Sequence, residues 1–135
     1  MSKRVLIAIL LIYVVWCGLD FVMHTVILGR AYEATAWLWR PMPEMKMGLM
    51  QVVSLVMATA FVLIYALWFK EHGVKQGLKY GLVYGLGSGV SMGYGTYSVM
   101  PIPYYMALTW FLGIMIEMSV AGVIAGLIVK RSQKA

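Results

Sequence analysis

Residues 5–28 read VLIAILLIYVVWCGLDFVMHTVIL, an apolar run with one acidic residue, Asp20, and no Lys or Arg. A helix needs about 20 predominantly apolar residues to cross a hydrocarbon core of about 30 Å. The run is longer than the apolar part of an ordinary signal peptide and lacks a convincing small-residue cleavage site, so we expect it to be retained. This stretch predicts a first membrane-spanning helix.

Three further apolar stretches have the length of a membrane span: residues 48–69, 77–99 and 105–129. Between the last two, prolines in the turn at residues 100–103 make continuation of a helix unfavourable. The chain is 62% hydrophobic and 12% charged, and a soluble domain of 135 residues could not bury so much apolar surface. We therefore predict an all-α membrane protein, a single domain over residues 1–135 built as a bundle of four transmembrane helices.

The basic residues are distributed unequally between the two sides of these spans. Eight lie on one side, namely Lys3, Arg4, Lys70, Lys75, Lys79, Lys130, Arg131 and Lys134, and three on the other, namely Arg30, Arg40 and Lys46. An excess of Lys and Arg marks the cytoplasmic side, so we predict that both termini are cytoplasmic. The formal charge of +6 forms no basic face, which argues against nucleic acid as a partner.

The loop of residues 29–47 contains aromatic side chains typical of a membrane–water interface. Tyr32, Trp37 and Trp39 lie close together, and Arg40 follows them. Amphipathic rings concentrate at the level of the lipid headgroups. We predict a short outer interfacial helix over residues 31–39, in which Trp37, Trp39 and Arg40 anchor the chain or, alternatively, form a lid over a site.

Glycine recurs at every fourth position of the third predicted span, and a shorter pair occurs in the fourth. Small residues at this spacing let two helix backbones approach closely, which favours helix association in lipid. The pattern predicts helix–helix seams formed by Gly77, Gly81, Gly85, Gly89 and Gly93 in the third span and by Gly122 and Gly126 in the fourth.

Three readily titratable residues lie inside the predicted spans: Asp20, His24 and Glu117. An ionisable group in a bilayer costs roughly 2.5–3.5 kcal/mol on insertion scales and usually marks function. Asp20 and His24 are four residues apart and share a helix face, and Tyr13 and Cys17 fall on the same stripe. We predict these five residues as polar intramembrane candidates, which can meet if the first and fourth spans touch.

Three interpretations of these polar residues remain open. A hydrogen-bonded carboxyl group can simply hold helices together, or the carboxyl groups and His24 can form a proton relay or an ion-coupling site. A metal or haem site is the third, with Asp20 and His24 as the candidate ligands, although their spacing matches no metal signature. The lone Cys17 excludes a multi-cysteine metal site, and we predict no cofactor.

Several stretches resemble a family of small bacterial four-span membrane proteins classed as a domain of unknown function. They are Leu19-Asp20-Phe21 with His24, Leu28-Gly29-Arg30-Ala31-Tyr32, Leu38-Trp39-Arg40-Pro41, Met92-Gly93-Tyr94-Gly95-Thr96-Tyr97, Met100-Pro101-Ile102-Pro103 and the span with Trp110, Glu117, Gly122 and Gly126. The resemblance covers most of the chain. It implies four spans in a bacterial inner membrane and no particular activity.

These features favour one function and leave two alternatives. We expect small-solute or ion/proton-coupled transport by a homo-oligomer, because four spans seldom enclose a pathway and glycine seams offer surfaces for assembly. The first alternative is a non-catalytic accessory subunit of a larger membrane complex. The second is a metal- or haem-binding redox protein. No catalytic signature is present, so the sequence does not predict an enzyme.

Overall fold

The computed structural model describes residues 2–129, and every regular element within them is helical. In chain order these are α1 (Lys3–Asp20) with π-helical turns at Phe21–Ile27, α2 (Gly29–Ala34), 3-10 turns at Ala36–Leu38 and Met42–Glu44, α3 (Met47–Trp68), α4 (Val74–Val90) with π-helical turns at Ser91–Gly95, α5 (Thr96–Val99) and α6 (Tyr104–Ile128). Three basic residues used for the orientation, Lys130, Arg131 and Lys134, lie outside the described residues.

Three of these helices are long and apolar enough to cross a membrane: Lys3–Ile27, Met47–Trp68 and Tyr104–Ile128. The all-α prediction is therefore confirmed for residues 2–129. The third predicted span, residues 77–99, lies in a backbone that is helical without a break from residue 74 to residue 99. This helix is less hydrophobic than the three candidate spans, because glycines and hydroxyl residues replace many of its aliphatic side chains.

The helices pack around α1 and α6. α1 contacts both α3 and α6, and α4 lies along α6, whereas α3 makes few contacts with α4 or α6. We call the end that holds the start of α1 the terminal end, and the end that holds residues 29–46 the loop end. At the terminal end the core contains Ile12, Trp16, Phe61, Tyr65 and Met118. At the loop end a second cluster contains Met23, Leu28, Ile102, Met106 and Trp110.

The loop differs from the single helix predicted over residues 31–39. α2 ends at Ala34, and Thr35 leaves the helical conformation with φ −115° and ψ 23°. Its hydroxyl donates to the carbonyl of Ala31 at 2.7 Å and accepts from the Trp39 indole N–H at 2.9 Å, so it joins α2 to the turn that follows. The chain then makes a tight 3-10 turn at Ala36–Leu38 and becomes extended at Trp39, with φ −113° and ψ 156°.

Candidate functional site

The loop end of α1 changes from α-helical to π-helical geometry just after Asp20. Leu28 donates its backbone N–H to the carbonyl of Met23 at 3.0 Å, a bond five residues back. The Met23 thioether occupies the space that a side chain at Gly113 of α6 would need. Isolated π-helical turns are frequent at functional sites, because they re-aim the side chains beyond them. Here the turns place His24 beside the loop.

A chain of polar groups runs from α1 into the loop. His24 Nε2 lies 3.7 Å from Asp20 Oδ1, and His24 Nδ1 lies 2.6 Å from the hydroxyl oxygen of Tyr32. Trp110 of α6 donates its indole N–H to the same hydroxyl at 3.0 Å. Because the Tyr32 oxygen accepts from Trp110, its own proton can be directed at His24 Nδ1. The chain thus joins α1, α2 and α6.

The Tyr32 hydroxyl stays protonated at neutral pH. Burial raises the pKa of Tyr32 above its ordinary value, the Asp20 charge raises it further, and the hydrogen bond from Trp110 opposes the shift. A tyrosine with an ordinary pKa of about 10 is already neutral at pH 7, and the net increase keeps it so. Tyr32 can therefore donate a proton in a hydrogen bond throughout the physiological range.

Glu117 lies on the other side of Asp20, on α6. Its side chain is 7% exposed, and its Oε1 atom is buried without a hydrogen-bond partner. The two carboxyl groups of Asp20 and Glu117 are close enough to interact. Trp16 donates its indole N–H to the backbone carbonyl of Glu117 at 3.0 Å, which holds α1 against α6 at this level. The structure therefore brings together two predicted carboxyl residues from distant parts of the chain.

Tyr13 and Cys17 face a different helix. The Tyr13 hydroxyl donates to Gln51 Oε1 of α3 at 2.7 Å, and the Cys17 thiol lies 3.5 Å from the same oxygen. Asp20 is one turn beyond both Cys17, which faces α3, and Trp16, which faces α6. By helical spacing it points between those two helices. The predicted stripe on α1 is therefore shared between two neighbours.

α3 packs against α4 at the terminal end and is exposed toward the loop end. At the terminal end Phe61 packs on Tyr80 and Tyr84, with ring centroids 4.5 Å and 5.4 Å apart, and the Tyr80 hydroxyl donates to the Phe61 carbonyl at 3.0 Å. At the loop end, residues 47–56 of α3 are exposed except for the partly buried Ser54.

The glycine seams of the third and fourth predicted spans lie against each other. A side chain at Gly77 would meet the backbone of Gly122 and Gly126, and one at Gly93 would meet the backbone of Ala107 and Phe111. A Cβ at Gly81 would likewise overlap the backbone carbonyl of Met118, whereas at Gly85 and Gly89 it would lie 3.1 Å from Met118 and Phe111, a tight contact. The two helices therefore approach closely along the whole of α4 and its π-helical extension.

The two tryptophans of the loop differ in burial and in contacts. Trp39 packs edge-on against Tyr32 and Trp110, with ring centroids 5.5 Å and 6.2 Å apart, and its indole N–H donates to the Thr35 hydroxyl at 2.9 Å. Trp37 is 72% exposed, and Arg40 is exposed as well. Trp39 therefore covers the Tyr32 end of the polar chain, while Trp37 and Arg40 face away from it.

Among the described residues, no group of three or more His, Cys, Asp or Glu side chains could hold a metal ion. Asp20 and His24, the candidate ligands named from the sequence, lie together but without a third such ligand. Four residues of the site were missed by sequence reasoning: Trp16, Tyr32, Gln51 and Trp110. Each is a common residue of a membrane helix or its interface, and only the packing of distant segments makes it part of the site.

Comparisons with protein-family models, curated proteins and solved structures found no match to this chain.

Proposed function

We propose that the chain is an integral membrane protein that crosses the bacterial inner membrane four times with both termini in the cytoplasm. Three helices have the required length and hydropathy. The close packing of Val74–Val99 on α6 supports it as a further span. Its glycines contact α6 from Gly126 to Ala107, a length of about 28 Å at 1.5 Å per residue. A helix that lies along α6 over that length shares its depth in the bilayer.

The unequal distribution of basic residues supports the proposed orientation. Lys3, Arg4, Lys70 and Lys75 belong to the terminal end, whereas Arg30, Arg40 and Lys46 belong to the loop end. The resemblance to small bacterial four-span proteins supports the bacterial inner membrane as the location of this chain.

We infer that the protein couples proton movement to the transport of a small solute or ion. One observation carries this inference: Glu117 is buried on α6, 7% exposed, at the level where Trp16, one helical turn before Asp20 on α1, donates to its backbone carbonyl at 3.0 Å. An ionisable group inside a membrane span is costly and usually marks function. From Asp20, exchangeable groups continue through His24 to Tyr32 at the loop end, so protons have a route between the carboxyl pair and one membrane surface.

The exposure of this route supports assembly into a homo-oligomer. The Asp20 and His24 side chains are 42% and 38% exposed, and a single chain would present them to lipid or to water within the membrane. A second copy that covered the open side of α1 would remove this cost. The proposal therefore places the proton route next to a subunit interface.

Proton flux into proteoliposomes tests the function. With a pH-sensitive dye inside the vesicles, an imposed Na⁺ or K⁺ gradient should drive proton movement in the wild-type protein, and Asp20→Asn or Glu117→Gln should abolish that flux. Glu33→Gln is the matched control, because Glu33 is an exposed carboxylate on α2. Flux that persists in the Asp20→Asn, Glu117→Gln double variant would rule out the proposal.

A further inference from the structure

The Trp110 indole stands at the start of the chain of polar groups at the loop end. Trp110 is buried on α6, 4% exposed, and its N–H donates to the Tyr32 hydroxyl oxygen at 3.0 Å. An indole N–H can donate a hydrogen bond but cannot accept one. The direction of this bond is therefore fixed by the residue type, whereas a hydroxyl or an imidazole in the same place could act either way.

The bond from Trp110 decides which way the Tyr32 hydroxyl donates. Its oxygen accepts from Trp110, and His24 Nδ1 lies 2.6 Å from that oxygen, at the short end of the range for hydrogen bonds of hydroxyl groups. A single proton lies between two atoms at this distance. If Tyr32 supplies that proton, His24 Nδ1 is the acceptor, and the neutral imidazole carries its own proton on Nε2.

The opposite arrangement loses a hydrogen bond. If His24 carried its proton on Nδ1, two N–H groups, those of Trp110 and His24, would both donate to the Tyr32 oxygen. The Tyr32 proton would then have to turn away from His24. Tyr32 is partly buried and Trp39 packs edge-on against its ring, so the turned hydroxyl would be left as a poorly solvated donor.

Asp20 has less influence on the His24 tautomer than Tyr32 has. Asp20 Oδ1 lies 3.7 Å from His24 Nε2, which is beyond the length of a hydrogen bond. A carboxylate there also favours a proton on Nε2, but both side chains are about two-fifths exposed, at 42% and 38%, which weakens the attraction. The short bond on the Nδ1 side therefore dominates.

We propose that Trp110 is a positioning residue of the proton route, which holds neutral His24 as the Nε2–H tautomer. Each donor then points toward Asp20: Trp110 to Tyr32, Tyr32 to His24, and His24 to the carboxylate. A proton that reaches the Tyr32 oxygen sends the hydroxyl proton to His24 Nδ1, and the Nε2 proton passes to Asp20, so the imidazole gains one proton and loses one. This role rests on the proposed function, which supplies the route that Trp110 orients.

Nitrogen NMR of the protein in lipid nanodiscs, with isotope-labelled histidine, tests the positioning role. The two tautomers give different correlation patterns, because Nε2 couples to both ring C–H protons and Nδ1 couples strongly to one. The chain has two histidines, so His72→Gln identifies the signals of His24. At about pH 8, where a histidine with an ordinary pKa of about 6.5 is neutral, wild-type His24 should have the Nε2–H pattern.

Trp110→Phe keeps an aromatic ring against Trp39 and removes the N–H donor. The ratio of the Nε2–H to the Nδ1–H form of His24 should fall by about threefold to tenfold, which moves the two nitrogen chemical shifts toward each other. Trp39→Phe is the matched control, because Trp39 packs against both Tyr32 and Trp110 but donates its N–H to Thr35. It should leave the His24 shifts unchanged.

Three results would overturn the positioning role: an Nδ1–H pattern in the wild type, wild-type shifts in Trp110→Phe, or wild-type shifts in Tyr32→Phe. The first and third need no change in α6, so they hold even where Trp110→Phe does not fold. Carboxyl-dependent proton flux together with unaltered shifts in Trp110→Phe would refute the positioning role alone. A tautomer that depends on Trp110 in a protein without flux would refute the route but support the order of the hydrogen bonds.

Discussion

Replacing Gly81 with Ala tests the close packing of α4 on α6. The added Cβ would lie 2.9 Å from the carbonyl carbon of Met118 and 3.1 Å from the Cα of Ser119, with the Met118 carbonyl oxygen closer still. Non-bonded carbon atoms prefer about 3.5–4.0 Å, and these atoms belong to backbone, which cannot rotate away. The helices must therefore separate by roughly 1 Å along the seam.

The expected change in stability is the difference between the cost of overpacking and the gain in helix propensity. Overpacking a well-packed contact costs about 1–3 kcal/mol, and Ala gains up to about 1 kcal/mol over Gly in a helix. We expect Gly81→Ala to lower the free energy of unfolding by about 1–2 kcal/mol. Gly87→Ala is the control on the same helix, because nothing lies within 4 Å of a Cβ at Gly87; it should leave stability unchanged or raise it.

Unfolding in mixed micelles, titrated with a denaturing detergent and followed by far-UV circular dichroism, measures both variants under one condition. Gly81→Ala should unfold before the wild type and Gly87→Ala with it or after it. If Gly81→Ala proves as stable as Gly87→Ala, α4 is not closely packed on α6. The proposed span Val74–Val99 would then lose its main support.

Two further substitutions probe the loop end by the same unfolding assay. Tyr32→Phe leaves His24 Nδ1 and the Trp110 indole N–H without their shared partner, so it should lower the free energy of unfolding by about 1–3 kcal/mol. It should also slow proton flux, and a wild-type flux would exclude Tyr32 from the proton route. Trp39→Ala should lower the free energy of unfolding by about 2–3 kcal/mol, because it removes an aromatic ring packed on two others. Trp37→Ala should change it by no more than about 0.5 kcal/mol. Equal effects of the two substitutions would mean that Trp39 is not the packed tryptophan of the loop.

The helices could be predicted from the sequence because each depends on local composition. The apolar run of residues 5–28 became a helix over Lys3–Ile27, and the prolines of residues 100–103 end one helix before α6 begins at Tyr104. The glycine spacing also indicated which faces can approach closely, since a missing side chain is visible in the sequence itself. The break at Thr35 was not predicted, because aromatic content indicates an interfacial segment but not where its helix ends.

The partners within the site could not be predicted to the same extent. Asp20 and Glu117 were named because ionisable residues are conspicuous in apolar runs, yet their meeting depends on how α1 packs on α6. Gln51 is 34 residues from Cys17, and Trp110 is 78 residues from Tyr32. No periodicity links residues so far apart, so these contacts arise only from tertiary packing.

Infrared spectroscopy of the reconstituted protein measures proton exchange at Asp20 and Glu117 directly. A difference spectrum between about pH 6 and about pH 10, over which an exposed carboxylate with an ordinary pKa of about 4.3 stays ionised, should contain a carboxylic acid carbonyl band that is lost in Glu117→Gln, altered in Asp20→Asn and unchanged in Glu33→Gln. A spectrum that none of these three substitutions altered would mean that the pair does not exchange protons, and would contradict the central claim.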